Sequence, residues 1–167
     1  MQIIKDKMTM DVLFINPGSS KKVYQGLSKD YSAIEPPTWS LLLAQSCRSV
    51  GYDVGILDCC AENLSYEDTV SRIKEFNPRL LCFVVYGQNV NAGTTSMTGA
   101  TSLSNYIKEN NITTPIAYIG SHVQALPYEA LNKEKSIDII FTNEGVYALR
   151  NLLKEEIDLE NLSHIKG

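Results

Sequence analysis

No stretch of this sequence approaches the roughly 20 consecutive apolar residues that a helix needs to cross a bilayer. Its opening, "MQIIKDKMTM", also lacks the long apolar core of a secretory signal. The expectation is a cytoplasmic protein without a membrane partner. Basic clusters are missing too: 15 Lys and Arg are scattered among 19 Asp and Glu, for a formal charge of -4. That balance leaves no electrostatic footprint for nucleic acid. Zinc is poorly served, because Cys47, Cys59, Cys60 and Cys82 form no C-x-x-C pair and the only histidines are His122 and His164. Neither G-x-x-x-x-G-K-[ST] nor G-x-G-x-x-G occurs, so the familiar phosphate-binding fingerprints are absent. There is no internal repeat and no low-complexity segment.

What remains is an ordinary globular composition, 44% hydrophobic and 20% charged over 167 residues, enough for one domain with a proper core. Two kinds of segment alternate. Residues 11–16, 53–58, 79–87, 115–120 and 138–143 are short, rich in β-branched or aromatic residues and bounded by Gly, Pro, Asn or Asp, as buried strands are. Residues 38–51, 65–77, 96–111, 124–132 and 144–156 read as helices. Over 65–77, Ser65 and Asp68 have capping-box spacing, Tyr66, Val70, Ile73 and Phe76 share one side, and Asn77-Pro78 ends the run. Gly51 is placed to terminate the helix before it. Cys82 in an apolar run and Cys47 on an apolar helix face read as buried thiols.

Strict alternation with right-handed crossovers predicts an α/β, Rossmann-like (flavodoxin-like) three-layer fold, with a five-stranded parallel sheet in the order 2-1-3-4-5. Ligands of such sheets bind beyond the carboxyl ends of the strands. Four loops fall there: Asn16-Pro17-Gly18-Ser19-Ser20; Tyr86-Gly87-Gln88-Asn89 and on to Thr95; Gly120-Ser121-His122; and Asn143-Glu144-Gly145. Small and polar, they suit a ligand carrying many amide or phosphate groups. They supply no nucleophile, base and orienting acid in one pattern, which points to holding a ligand and not to catalysis. Each loop taken singly is also ordinary turn chemistry. His122 reads either as a solvent-facing turn residue or as a pocket wall. Residues 16–37 form the one long irregular stretch, a length more often functional than idle.

The succession "VLFINPG", "EPPTWSLLLAQSCRSVGYDVGILD", "PRLLCFVVYG", "PIAYIGSHVQALPYEAL" and "DIIFTNEGVYALRNLL" resembles the amino-terminal cobalamin-binding domain of cobalamin-dependent radical S-adenosylmethionine enzymes, over residues 11–154. The resemblance implies strand-end loops lying against the corrin ring and a nucleotide tail received beside the sheet. By position it implies cofactor contacts at Asn16, Pro17 and Gly18, and at Glu35, Pro36 and Pro37 before the first helix. It implies further contacts at Tyr86, Gly87, Gln88 and Asn89, at Gly120, Ser121 and His122, and at Glu144 and Gly145. No catalytic residue and no protein metal ligand is implied in this chain.

Two departures stand out. The D-x-H-x-x-G of methionine synthase and the cobalamin mutases, whose histidine ligates cobalt, is replaced by Asn16-Pro17-Gly18-Ser19-Ser20, so no histidine ligand to cobalt is expected. Ser121 stands where the family commonly has a second glycine. The radical domain's C-x-x-x-C-x-x-C, which holds an iron-sulfur cluster, is also absent. "LENLSHIKG" resembles the connector that leads into that domain. The division implied is a polar leader over 1–10, a cobalamin-binding domain over 11–156, and the start of a connector over 157–167. The cluster and S-adenosylmethionine would belong to a missing carboxyl-terminal radical domain, with self-association of the isolated domain through the surface left uncovered. The parent would be a methyltransferase or related enzyme. The alternatives are a flavodoxin-like regulatory or interaction domain without cofactor, and a flavin-binding redox module. A receiver-type version of the former would need an acidic cluster near the first strand, where only Asp6 precedes Asp11, and Gly18-Ser19-Ser20 is a thin match for the latter.

Overall fold

The computed structural model describes residues 9–18, 35–86 and 90–166, with the backbone alone over 90–95. The parallel strands are β1 (Val12–Asn16), β2 (Val54–Asp58), β3 (Leu80–Val84), β4 (Ile116–Ile119) and β5 (Ile139–Phe141). They form one sheet in the order β2-β1-β3-β4-β5, as the alternation predicts. The helices among the described residues are α1 (Thr38–Arg48), α2 (Tyr66–Phe76), α3 (Val90–Glu109), α4 (Ser121–Ala125), α5 (Pro127–Lys133) and α6 (Val146–Leu153).

The near-continuous apolar runs follow from burial on both faces, which parallel strands require. Along β1, Val12 and Phe14 face α1 and α6 while Leu13 and Ile15 face α2 and α3, all four fully buried. β3 repeats the pattern, with Leu80, Cys82 and Val84 on one side and Leu81 and Phe83 on the other. In register with Phe83, Tyr118 of β4 stacks on it at 4.9 Å. Side chains of this size contribute about 1.5–3 kcal/mol each when fully buried, so the two central strands anchor both layers. Residues beyond α6 return across the α1/α6 face, where Ile157, Leu162 and Ile165 pack on the core.

Local chemistry sets the helix limits. α2 carries the full capping box, with Ser65 Oγ accepting from Asp68 N and Asp68 Oδ2 accepting from Ser65 N. Asn77 closes the helix in the left-handed region at φ 49°. The expected boundaries shift in three places. α3 begins at Val90, so the polar run Asn91–Thr95 is helix and not loop. Those residue types have only modest helix penalties, and a long helix anchored through Met97, Ala100, Leu103 and Ile107 overrides them. The segment read as one helix over 124–132 is two, broken at Leu126 because Pro127 disfavours helical backbone in the residue before it. Finally, Gly120-Ser121-His122 is no open turn, since α4 starts directly at Ser121.

Candidate functional site

Strand order reverses between β1 and β3, and the segments leaving the carboxyl ends of the strands meet above that point. At the end of β1, half-buried Asn16 turns sideways: its Nδ2 donates to Asp58 Oδ1 at 2.9 Å, and the same oxygen accepts from the backbone N–H groups of Cys60 and Ala61. Asn16 and Asp58 thus brace the ends of β1 and β2. Pro17 is buried, and Gly18 lies exposed against the Cys59–Cys60 backbone. Glu35 and Pro36 are exposed just ahead of α1.

Tyr86, following β3, is the hub. Trp39 from the first turn of α1 stacks on it, with ring centroids 4.6 Å apart and planes 25° from parallel. The Tyr86 hydroxyl accepts from Gln124 Nε2 at 2.6 Å, and the same amide donates to the Asn143 carbonyl at 2.7 Å. Asn143 Oδ1 in turn accepts from Gly145 N at 2.7 Å, closing the turn into α6. One chain of contacts therefore links α1, β3, α4 and the β5–α6 turn. Burial pushes the Tyr86 hydroxyl pKa up; the Gln124 donor opposes this, and the nearby Glu144 carboxylate adds to it.

The glycines here serve the fold. A Cβ on Gly120 would collide with the Val85 carbonyl oxygen and stand 2.7 Å from its carbon. Gly145 sits at φ 73°, where its absent Cβ makes room for Ile119. Close backbone approach at Gly120 is thus to Val85.

Three buried hydroxyls lack a hydrogen-bond partner among the described residues: Ser40, Ser46 and Ser121. Ser40 and Ser121 lie in the first turns of α1 and α4, helices that begin at this edge. His122 is half-buried, in the first turn of α4. Glu144 is exposed and Gly145 buried beside the network. Gly87, Gln88 and Asn89 lie outside the described residues. No group of three or more His, Cys, Asp or Glu suited to a metal occurs among the described residues. A separate groove of about 330 Å³ runs along the outer β5 edge, lined by Ile140, Thr142, Ala148, Leu162 and Ile165 among others. It lies two strands from β3, away from the reversal point.

Sequence reading placed Asn143 in a strand-end loop but missed Trp39, Gln124 and Asp58. Only Trp39 carried a local signal, a large ring in the first turn of a helix that must start at the ligand-facing edge.

Fold and edge together define a doubly wound α/β domain with a buttressed aromatic pair at its strand-order reversal. The chain belongs to the B12 binding domain family, whose model matches residues 27–153. No curated protein matches it. Among solved structures it is similar to the radical S-adenosylmethionine methyltransferase TsrM from Kitasatospora setae. In the structure with tryptophan substrate and the analogue aza-SAM, identity is 16% and the TM-score 0.63, covering 89% of this chain and 26% of that one. In the structure with cobalamin and a [4Fe-4S] cluster, identity is 15% and the TM-score 0.66, covering 88% and 24%. This likeness establishes the shared fold. The chain spans about a quarter of the length of those proteins.

Proposed function

We propose that this chain is the cobalamin-binding domain of a cobalamin-dependent radical S-adenosylmethionine enzyme, a methyltransferase or a relative in class. The observation that carries the reading is the edge at the strand-order reversal. It presents a stacked aromatic pair held in place by the amide of Gln124, in a chain of the B12 binding domain family. Such a lining suits a macrocycle rimmed with amide side chains better than it suits a phosphate.

When bound, cobalamin supplies the cobalt-carbon chemistry, while the protein supplies position and environment. Ser121, His122 and Tyr86 form the polar wall, with Glu144 and Gly145 behind it. Asn16, Pro17 and Gly18 form the floor of the first loop, and Glu35 and Pro36 the approach to α1. Asn16 is committed to Asp58 and the first loop contains no histidine, so neither would be available to hold the cofactor's metal. The 167 residues contain no C-x-x-x-C-x-x-C, and the iron-sulfur cluster and S-adenosylmethionine are assigned to a separate radical domain that covers the open side of the site. By itself the chain binds without turnover.

The test is to equilibrate purified protein with hydroxocobalamin, remove free cofactor by desalting, and record the visible spectrum. Retained corrin bands approaching one equivalent are expected. Colourless protein, together with no uptake in equilibrium dialysis, would overturn the reading.

A further inference from the structure

Trp39 is the only tryptophan of the chain, and it sits 40% exposed in the first turn of α1 instead of in the core. An exposed ring of that size ordinarily moves freely, and holding it still costs conformational entropy. Here it lies flat on Tyr86, Tyr86 is pinned through its hydroxyl by Gln124, and Gln124 is anchored on the Asn143 carbonyl. Elements from four parts of the chain thus fix one aromatic surface at the strand-order reversal. Buttressing of this kind is what a preorganised binding plate requires.

We propose that the Trp39–Tyr86 pair is the plate on which the domain-facing side of the corrin macrocycle rests, with Gln124 as the positioning residue that keeps Tyr86 in the stack. The proposal rests on the cobalamin reading above. Aromatic faces favour broad, flat, conjugated partners and attract cationic ones, and a cobalt corrin is both. The first loop offers Asn16, Pro17 and Gly18 and no imidazole, so this side of the ring needs apolar cover and not a metal ligand. The pair is a surface with one wall, which suits a ring laid against it and not a base slotted between two walls.

Two probes separate the parts of the cofactor: hydroxocobalamin, and cobinamide, the same macrocycle without its nucleotide tail. Spectral titration of the full chain with each gives an apparent Kd. Trp39→Ala is expected to raise Kd for both probes by about tenfold, the scale of one lost aromatic contact. Trp39→Phe restores most of the affinity, and Gln124→Ala gives an intermediate loss. The bound corrin bands should also shift in Trp39→Ala, a change that loss of a merely structural contact would not produce. If wild-type protein binds and Trp39→Ala binds both probes equally well, the plate is refuted while the cobalamin reading stands. A loss confined to hydroxocobalamin overturns the corrin assignment, because the pair then serves the tail. Failure of wild-type protein to bind either probe ends both readings. Should Trp39→Ala not fold, Gln124→Ala decides, and wild-type affinity for both probes in that variant overturns the proposal.

Discussion

Gly120→Ala places one methyl group in the tightest backbone contact of the site. Its Cβ would stand 2.7 Å from the Val85 carbonyl carbon and closer still to the oxygen, whereas ordinary Cβ contacts begin near 3.4 Å. The carbonyl carbon must therefore retreat by about 0.7 Å, the difference of those two distances, and the oxygen further. Retreat is resisted, because Val85 N donates to Ile119 O at 2.7 Å and Val85 is 1% exposed. Overpacking costs about 1–3 kcal/mol and a weakened ladder hydrogen bond about 1 kcal/mol more, for a loss of about 3 kcal/mol. In a chain of this size that is about 6–12 °C in thermal midpoint. Gly18→Ala is the internal control: its Cβ would lie 3.6 Å from the nearest atom, Cys59 O, at an exposed position, so its midpoint should match wild type. Differential scanning calorimetry of both variants measures the contrast. A Gly120→Ala midpoint within about 1 °C of wild type, or equal losses in the two variants, would refute the argument.

Two further outcomes follow from local chemistry. Ser65→Ala should cost about 1 kcal/mol through loss of the α2 cap. Hydrogen bonds from Ser65 hold the Asp68 carboxyl below its ordinary 3.8. A depressed folded pKa adds stability above 3.8 that disappears as pH falls through the lower folded value, so the gap between Ser65→Ala and wild type should shrink on that acid limb. A gap in urea midpoints that ignores pH would exclude the mechanism. Burial raises the Cys47 and Cys59 thiols to about 11 and Cys82 further, while Cys60 is partly exposed. With an aromatic disulfide reagent at pH 8, one thiol should react quickly in the folded protein and four after denaturation; two fast thiols would contradict this.

Strand identities and order were legible because both faces of the sheet are buried, which writes each strand as an unbroken apolar run. Cys82 was legible as a buried thiol for the same reason, and Cys47 from its place on the apolar face of α1. Helix limits were less so: the small polar residues of Asn91–Thr95 read as turn chemistry, and a long packed helix recruits them regardless. Pro127 did signal a break, yet the helical residues on both sides hid it. The site was legible as loops and not as contacts. Asn16 meets Asp58 across 42 positions and Gln124 meets Tyr86 across 38, and no local pattern records such partners. That Asn16 spends its amide on Asp58 was therefore invisible, as was the stacking of Trp39.

The parallel register of β1 bears on how the chain comes to be folded. Val12 pairs with Val54 on one side and with Leu80 on the other, so the second partner lies 68 residues downstream. At about 5–20 residues per second of synthesis, β1 waits about 3–14 s for β3 to be made, longer still before β3 clears the ribosome. Throughout that interval the edge of β1 that will meet β3 has no backbone partner, and Val12 and Phe14 also lack α6, which is made later still. Of the strand pairs in the sheet, β1 and β3 lie furthest apart along the chain, so β1 is the strand that a chaperone would shelter longest.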